Sequence, residues 1–195
     1  MSKYYEEKLP EGYGEALTVD AGDVERSKAI RTAAVITAAV LFNLWFFLYA
    51  LPRIKEIAGG FSVIKCLLAL LAYPLYVVLH ELTHGAVYKL LTGRKLTFGF
   101  KPPAAYCGVP AIYVYRLTSL ISLLAPFTVF GIVFIVSFLA IHEPFSRALI
   151  AVLFLLHLTG CSGDLYGAGL LFFRFRDPAT LRRDTGPVQT YYTRD

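Results

Sequence analysis

Charge is what this sequence has least of. Only 17% of its 195 residues are Asp, Glu, Lys or Arg, against about a quarter in an average soluble domain, too few to clothe a water-facing globule. Cysteine is nearly absent as well. Of the three present, Cys66 and Cys161 lie inside apolar runs and Cys107 alone in a polar stretch, which excludes a disulfide-stapled secreted fold. Internal repeats and low-complexity tracts are missing, and the composition excludes collagen, coiled coil and disorder. The first 29 residues are polar and slightly acidic without an apolar core, so no cleavable signal is expected and insertion is assigned to the first apolar run. What the chain has in abundance is apolar side chain: 56% hydrophobic residues and a mean hydropathy of +0.57 point to a membrane.

Four stretches are long and apolar enough to cross a hydrocarbon core of ~30 Å: residues 31–51, 61–91, 118–141 and 148–173. The second is over-long and holds Pro74, and the third holds Pro126 and Gly131, so kinks are expected there. Of the 19 Lys and Arg, fifteen fall in the N-terminal segment, around the loop after the second span, and in the tail. The remaining four, Arg53, Lys55, Lys65 and Arg147, fall on the other side. This bias places both termini in the cytoplasm of a cell membrane. The basic residues flank spans instead of alternating with aromatics on one face, so the net charge of +5 reads as topology and nucleic acid is not an expected partner.

The expected fold is a membrane all-α, four-span helix bundle with a short β-hairpin between the second and third spans. Residues 1–30 form a polar, solvated arm, 31–175 the membrane domain, and 176–195 a basic cytoplasmic tail. The hairpin is placed at about 93–116, where Leu96, Phe98 and Phe100 alternate with Lys95, Thr97 and Gly99. Pro102-Pro103 then breaks the run and Ile112 to Tyr115 resumes it.

Ionisable residues inside an apolar span cost at least ~2.5–3.5 kcal/mol each for Asp, Lys or Arg and so call for a reason. The second span carries His80, Glu81 and His84, and the fourth carries His157 and Asp164. His80-Glu81-Leu82-Thr83-His84 is an H-E-x-x-H pentad. On a helix its histidines project from one face one turn apart and can share a zinc ion, with Glu81 beside them to take a proton from a water the metal activates. A catalytic zinc needs a third protein ligand. The extended zinc-peptidase pattern fails at Val87 and Leu90, no Glu occurs between Glu81 and Glu143, and Asp177 and Asp184 lie beyond the last span. Asp164 and His157 remain. Counted along their helices, His80 lies roughly 27 Å and Asp164 roughly 24 Å from the outer ends, so Asp164 matches in depth, while His157 lies about 10 Å away from it. A contact to a substrate carbonyl or oxyanion is the expected role of His157, and Cys161, facing elsewhere on a regular helix, is read as a packing residue.

With these residues in hand, the chain resembles the putative zincin peptidase family of small multi-spanning membrane proteins, distantly similar to the site-2 intramembrane metalloproteases. The likeness rests on His80 to Gly85, Gly93 to Phe100, Ala125-Pro126 and Gly163-Asp164, within residues 60–175. By similarity to site-2 proteases the third-ligand role falls on Asp164. The order Gly163-Asp164 departs from their Leu-Asp-Gly, and their upstream asparagine-proline signature is missing. The resemblance implies one zinc per chain and hydrolysis of a membrane protein or peptide substrate within or near the lipid bilayer. The rival expectation is a non-enzymatic membrane scaffold or binding protein that keeps a zincin-like site.

Overall fold

The computed structural model describes residues 4–20, 23–101 and 104–194; Lys3 and the Pro102-Pro103 break lie outside them. The chain is mostly helical. Helix α1 (Val24–Trp45) continues through a π turn (Phe46–Ala50) and a 3-10 turn (Leu51–Arg53) into α2 (Ile54–Gly59). The long α3 runs over Val63–Thr92, α4 over Arg116–Ala140, α5 over Pro144–Gly160 and α6 over Ser162–Gly169, which ends in a π turn (Leu170–Arg174).

Local chemistry sets the boundaries. The Ser62 side chain accepts the Lys65 N–H to start α3, and Gly93, at φ 66°, returns its N–H to the Lys89 carbonyl to end it. Pro74 and Pro126 sit inside α3 and α4, and both helices run on uninterrupted as single elements. Pro144 opens α5 at a position where its missing N–H costs nothing, and the Glu143 carboxylate accepts from the amides of Phe145 and Ser146.

Three helical stretches, Lys28–Gly59, α3 and α4, are long and apolar enough to cross a membrane, or four if α5 and α6 make one span bent by 43°. They are apolar on the outside: Leu68, Leu70, Leu71 and Leu139 are all more than 60% exposed. A water-soluble bundle would turn such faces inward.

The all-α expectation needs correction, because a sizeable antiparallel sheet closes one end of the bundle. Strands β1 (Tyr5–Glu6), β2 (Tyr13–Asp20), β5 (Tyr113–Tyr115), β6 (Leu181–Asp184) and β7 (Val188–Arg194) align in the order β1-β5-β6-β7-β2. The N-terminal segment and the tail, read from sequence as an arm and an appendage, are thus strands of one sheet. Val114 pairs with both Tyr5 and Arg182, and Leu17 with Tyr191. Apolar residues on its inner face, Tyr191 above all, pack with Leu120 and Leu123 of α4 and with Ala168, Leu171 and Phe175. The hairpin proper is β3 (Thr97–Lys101) with β4 (Ala104–Gly108); residues 113–115, expected to resume it, join the larger sheet instead. Gly85 of α3 lets this hairpin lie close, since a Cβ there would come within 2.8 Å of the Phe98 ring and 3.3 Å of the Cys107 sulfur.

Candidate metal centre

The four-residue spacing of His80 and His84 carries both imidazoles to the same face of α3, one turn apart, and both are buried. Asp164 reaches them from a different direction. The fourth apolar stretch is not a regular helix: α5 ends at Gly160, Cys161 adopts a bridging conformation (φ −76°, ψ 0°), and α6 sets off at 43°. Asp164 stands in the first turn of α6. Its Oδ2 lies 3.2 Å from His80 Nε2 and 3.3 Å from His84 Nε2. One ligand atom from each residue falls within 4.8 Å of the others.

The second nitrogen of His84 is tied down. Its Nδ1 lies 2.8 Å from the Ser122 carbonyl oxygen of α4, which can only accept, so Nδ1 carries the proton and Nε2 is the atom turned toward Asp164. Two imidazole nitrogens, one carboxylate oxygen and a backbone acceptor behind a ligating ring form the donor set that a three-ligand zinc site uses. The residues present therefore fit that ion. Glu81 follows His80 directly on α3 and is half-buried.

His157 sits elsewhere. It is fully buried among the rings of Phe127, Phe130, Phe134 and Phe154. Its Nδ1 is 2.8 Å from the Tyr76 hydroxyl and its Nε2 3.3 Å from the Phe127 carbonyl. Both nitrogens are engaged inside the protein, so the substrate or oxyanion contact expected of His157 has no free nitrogen to make it. Cys161 also departs from the sequence reading. Four residues after His157 and joined to it by an intact helical bond from its N–H to the His157 carbonyl, it lies one turn away on the same face, with its sulfur 3.6 Å from Nδ1, and His80, His157 and Cys161 form a second cluster of possible ligand atoms that shares His80 with the first.

The sequence model of the putative zincin peptidase family matches residues 73–177, more than half of the chain. The chain belongs to that family. The zincin match begins about two helical turns before the first candidate ligand and ends soon after the turn that follows α6, so it spans His80, Glu81, His84, His157 and Asp164 together. It leaves out α1 and α2, the first turns of α3, and strands β1, β2, β6 and β7 of the five-stranded sheet. Membership makes a zinc peptidase the activity class of the family's description. No curated protein and no solved structure matches the chain.

Three contributors to the candidate site escaped sequence reasoning. Ser122 acts through its backbone carbonyl, which its side chain does not announce. Tyr76, whose hydroxyl lies 3.0 Å from His80 Nδ1, reads in sequence as one more aromatic in an apolar run, although its place four residues before His80 was the available signal. Tyr88, one turn beyond His84, donates to Asp184 Oδ2 at 2.6 Å and so ties the ligand-bearing helix to strand β6.

Proposed function

We propose that the protein is a membrane-embedded zinc metallopeptidase that hydrolyses peptide bonds in or near the bilayer, with His80, His84 and Asp164 as the metal ligands and Glu81 as the catalytic carboxylate. The observation that carries the reading is the convergence of two imidazole Nε2 atoms on one carboxylate oxygen, 3.2 and 3.3 Å away. It is supported by the apolar outer faces of the helices around it. When bound, zinc would supply Lewis-acid chemistry: it polarises the scissile carbonyl and makes water acidic enough to act as a nucleophile near neutral pH.

The chain's own residues do the rest. Asp164 and the two histidines bind, and the Ser122 carbonyl orients the His84 ring so that Nε2 faces inward. The Glu81 carboxylate takes a proton from the attacking water and passes it to the amide nitrogen that leaves. By the distribution of basic residues, the site lies toward the cytoplasmic leaflet with both termini in the cytoplasm. The substrate is a membrane protein or peptide whose helix must unwind to expose its scissile bond. Strand β3 pairs only with β4 among the described residues, and its other edge can hold an extended segment by β-augmentation. A chain without residues 97–108 that cleaves a defined substrate at the wild-type rate would remove the hairpin from this account.

The discriminating experiment is Glu81→Gln in purified, lipid-reconstituted protein. An enzyme loses turnover of a membrane peptide by several orders of magnitude while its zinc content stays at the wild-type level. Undiminished cleavage in the variant would rule Glu81 out as the proton carrier, and an unchanged cellular phenotype would favour the scaffold.

A further inference from the structure

His80 has a second nitrogen, and the structure shows a continuous path leading away from it. Nδ1 of His80 meets the Tyr76 hydroxyl at 3.0 Å, that hydroxyl meets His157 Nδ1 at 2.8 Å, and His157 Nε2 meets the Phe127 carbonyl at 3.3 Å. The far end decides the direction. A carbonyl oxygen only accepts, so His157 Nε2 carries the proton, and in a neutral ring its Nδ1 is then an acceptor. The Tyr76 hydroxyl must therefore donate to His157, which leaves its oxygen lone pairs for His80. His80 Nδ1 carries the proton into that oxygen, and the lone pair of Nε2 is left pointing at Asp164. A charged His157 would be a lone cation enclosed by four phenylalanine rings, with no carboxylate in hydrogen-bond reach among the described residues.

We propose that Tyr76 and His157 are positioning residues that fix the tautomer of His80, so that both candidate ligands present Nε2 under the control of a backbone carbonyl of α4: His84 directly through Ser122, His80 by relay through Tyr76 and His157 to Phe127. This rests on the metallopeptidase reading above and gives His157 a role that keeps it away from substrate. It also accounts for the place of His157 on α5, before the break that carries Asp164, since the ring has to lie beyond Tyr76 and not beside the ligands. The competing use of the same atoms is a metal held by His80, His157 and Cys161. The Tyr76 hydroxyl, within 3.0 Å of both imidazoles, stands between those donors and would have to vacate the space.

The test is zinc affinity of the full-length, detergent-purified chain, measured by competition with a chromophoric chelator. Tyr76→Phe keeps the ring and removes the relay oxygen, and His157→Leu removes its far half. Each is expected to weaken zinc binding by about 10- to 100-fold. The double variant should be no weaker than the Tyr76→Phe single, because one chain cannot be cut twice. His157→Gln, whose amide can accept from Tyr76 and donate to Phe127, should recover most of the loss, a rescue that a purely space-filling histidine would not give. Wild-type affinity in Tyr76→Phe would overturn the relay while leaving the metallopeptidase reading in place. A wild-type chain that binds no zinc would overturn that reading and the relay with it. In the cobalt-substituted protein, a near-ultraviolet thiolate charge-transfer band that disappears in Cys161→Ser would also overturn the relay, since it would put the metal in the space of the Tyr76 hydroxyl.

Discussion

Removing the Asp184 carboxylate should loosen the sheet from the helices, because among the described residues it is the one carboxylate in ion-pair contact with a guanidinium that water does not reach. Arg182 is 1% exposed, with Nη2 3.1 Å from Asp184 Oδ2 and Nη1 3.2 Å from the Tyr88 hydroxyl. Burial disfavours the Arg182 charge, and Asp184 with Tyr88 more than offsets it, holding the guanidinium above its ordinary value. Asp184 also accepts hydrogen bonds from the Tyr88 hydroxyl at 2.6 Å and from the Gly186 amide at 2.9 Å. Breaking such a pair from one side leaves a buried unpaired charge and costs about 3–5 kcal/mol. Replacing both partners by apolar residues of similar volume is near neutral. Asp184→Ala should therefore speed amide hydrogen exchange of β6 and β7 by roughly 10²- to 10³-fold, at about 1.4 kcal/mol per tenfold. The double variant Arg182→Met with Asp184→Leu should return close to wild type. A change of less than tenfold in Asp184→Ala, or a double variant as labile as the single one, would refute the reasoning.

Two further outcomes follow from the same geometry. Gly85→Ala should push the β3–β4 hairpin off α3, since its Cβ would meet the Phe98 ring at 2.8 Å; a loss of about 1–3 kcal/mol is expected in chemical unfolding, and no loss would mean that the hairpin yields freely. At the other end of the bundle, Lys65 at 2.8 Å and the Ser146 hydroxyl and amide hold the Glu143 carboxyl down at about 2, from 4.5. A carboxyl depressed on folding contributes stability that is complete above the unfolded value and is lost as pH falls from about 4.5 toward about 2. Acid unfolding of Glu143→Gln should lack that segment of the pH profile, and an identical profile would remove this pair from the balance.

The helices and the first two ligands were legible because their signals are local. An apolar run of span length and an H-E-x-x-H pentad are each contained in one element, and the spacing of His80 and His84 guarantees a shared face. Asp164 could be reached by elimination and depth, but its approach depends on the 43° turn at Cys161; Gly160 and Gly163 mark where the helix can break, not the angle or direction of the turn. The place of Cys161 beside His157 needs no such turn, since the four-residue spacing already sets the two on one helix face. The sheet was hidden for a different reason. Its strands are short, lie at opposite ends of the chain, and bury residues that read as solvated: Arg182 and Asp184 are interior only because each has the other and Tyr88. Polar residues made compatible with burial by long-range partners leave no mark in a one-dimensional hydrophobic pattern.

The central claim is that His80, His84 and Asp164 bind one zinc ion, and the most direct measurement is metal content per chain in detergent-purified protein, wild type beside His84→Ala and Asp164→Ala. The account predicts about one zinc in the wild type and loss from both variants, as expected when one of only three protein ligands is removed. A wild type that holds no zinc after reconstitution, or an Asp164→Ala protein that keeps its full complement, would contradict it.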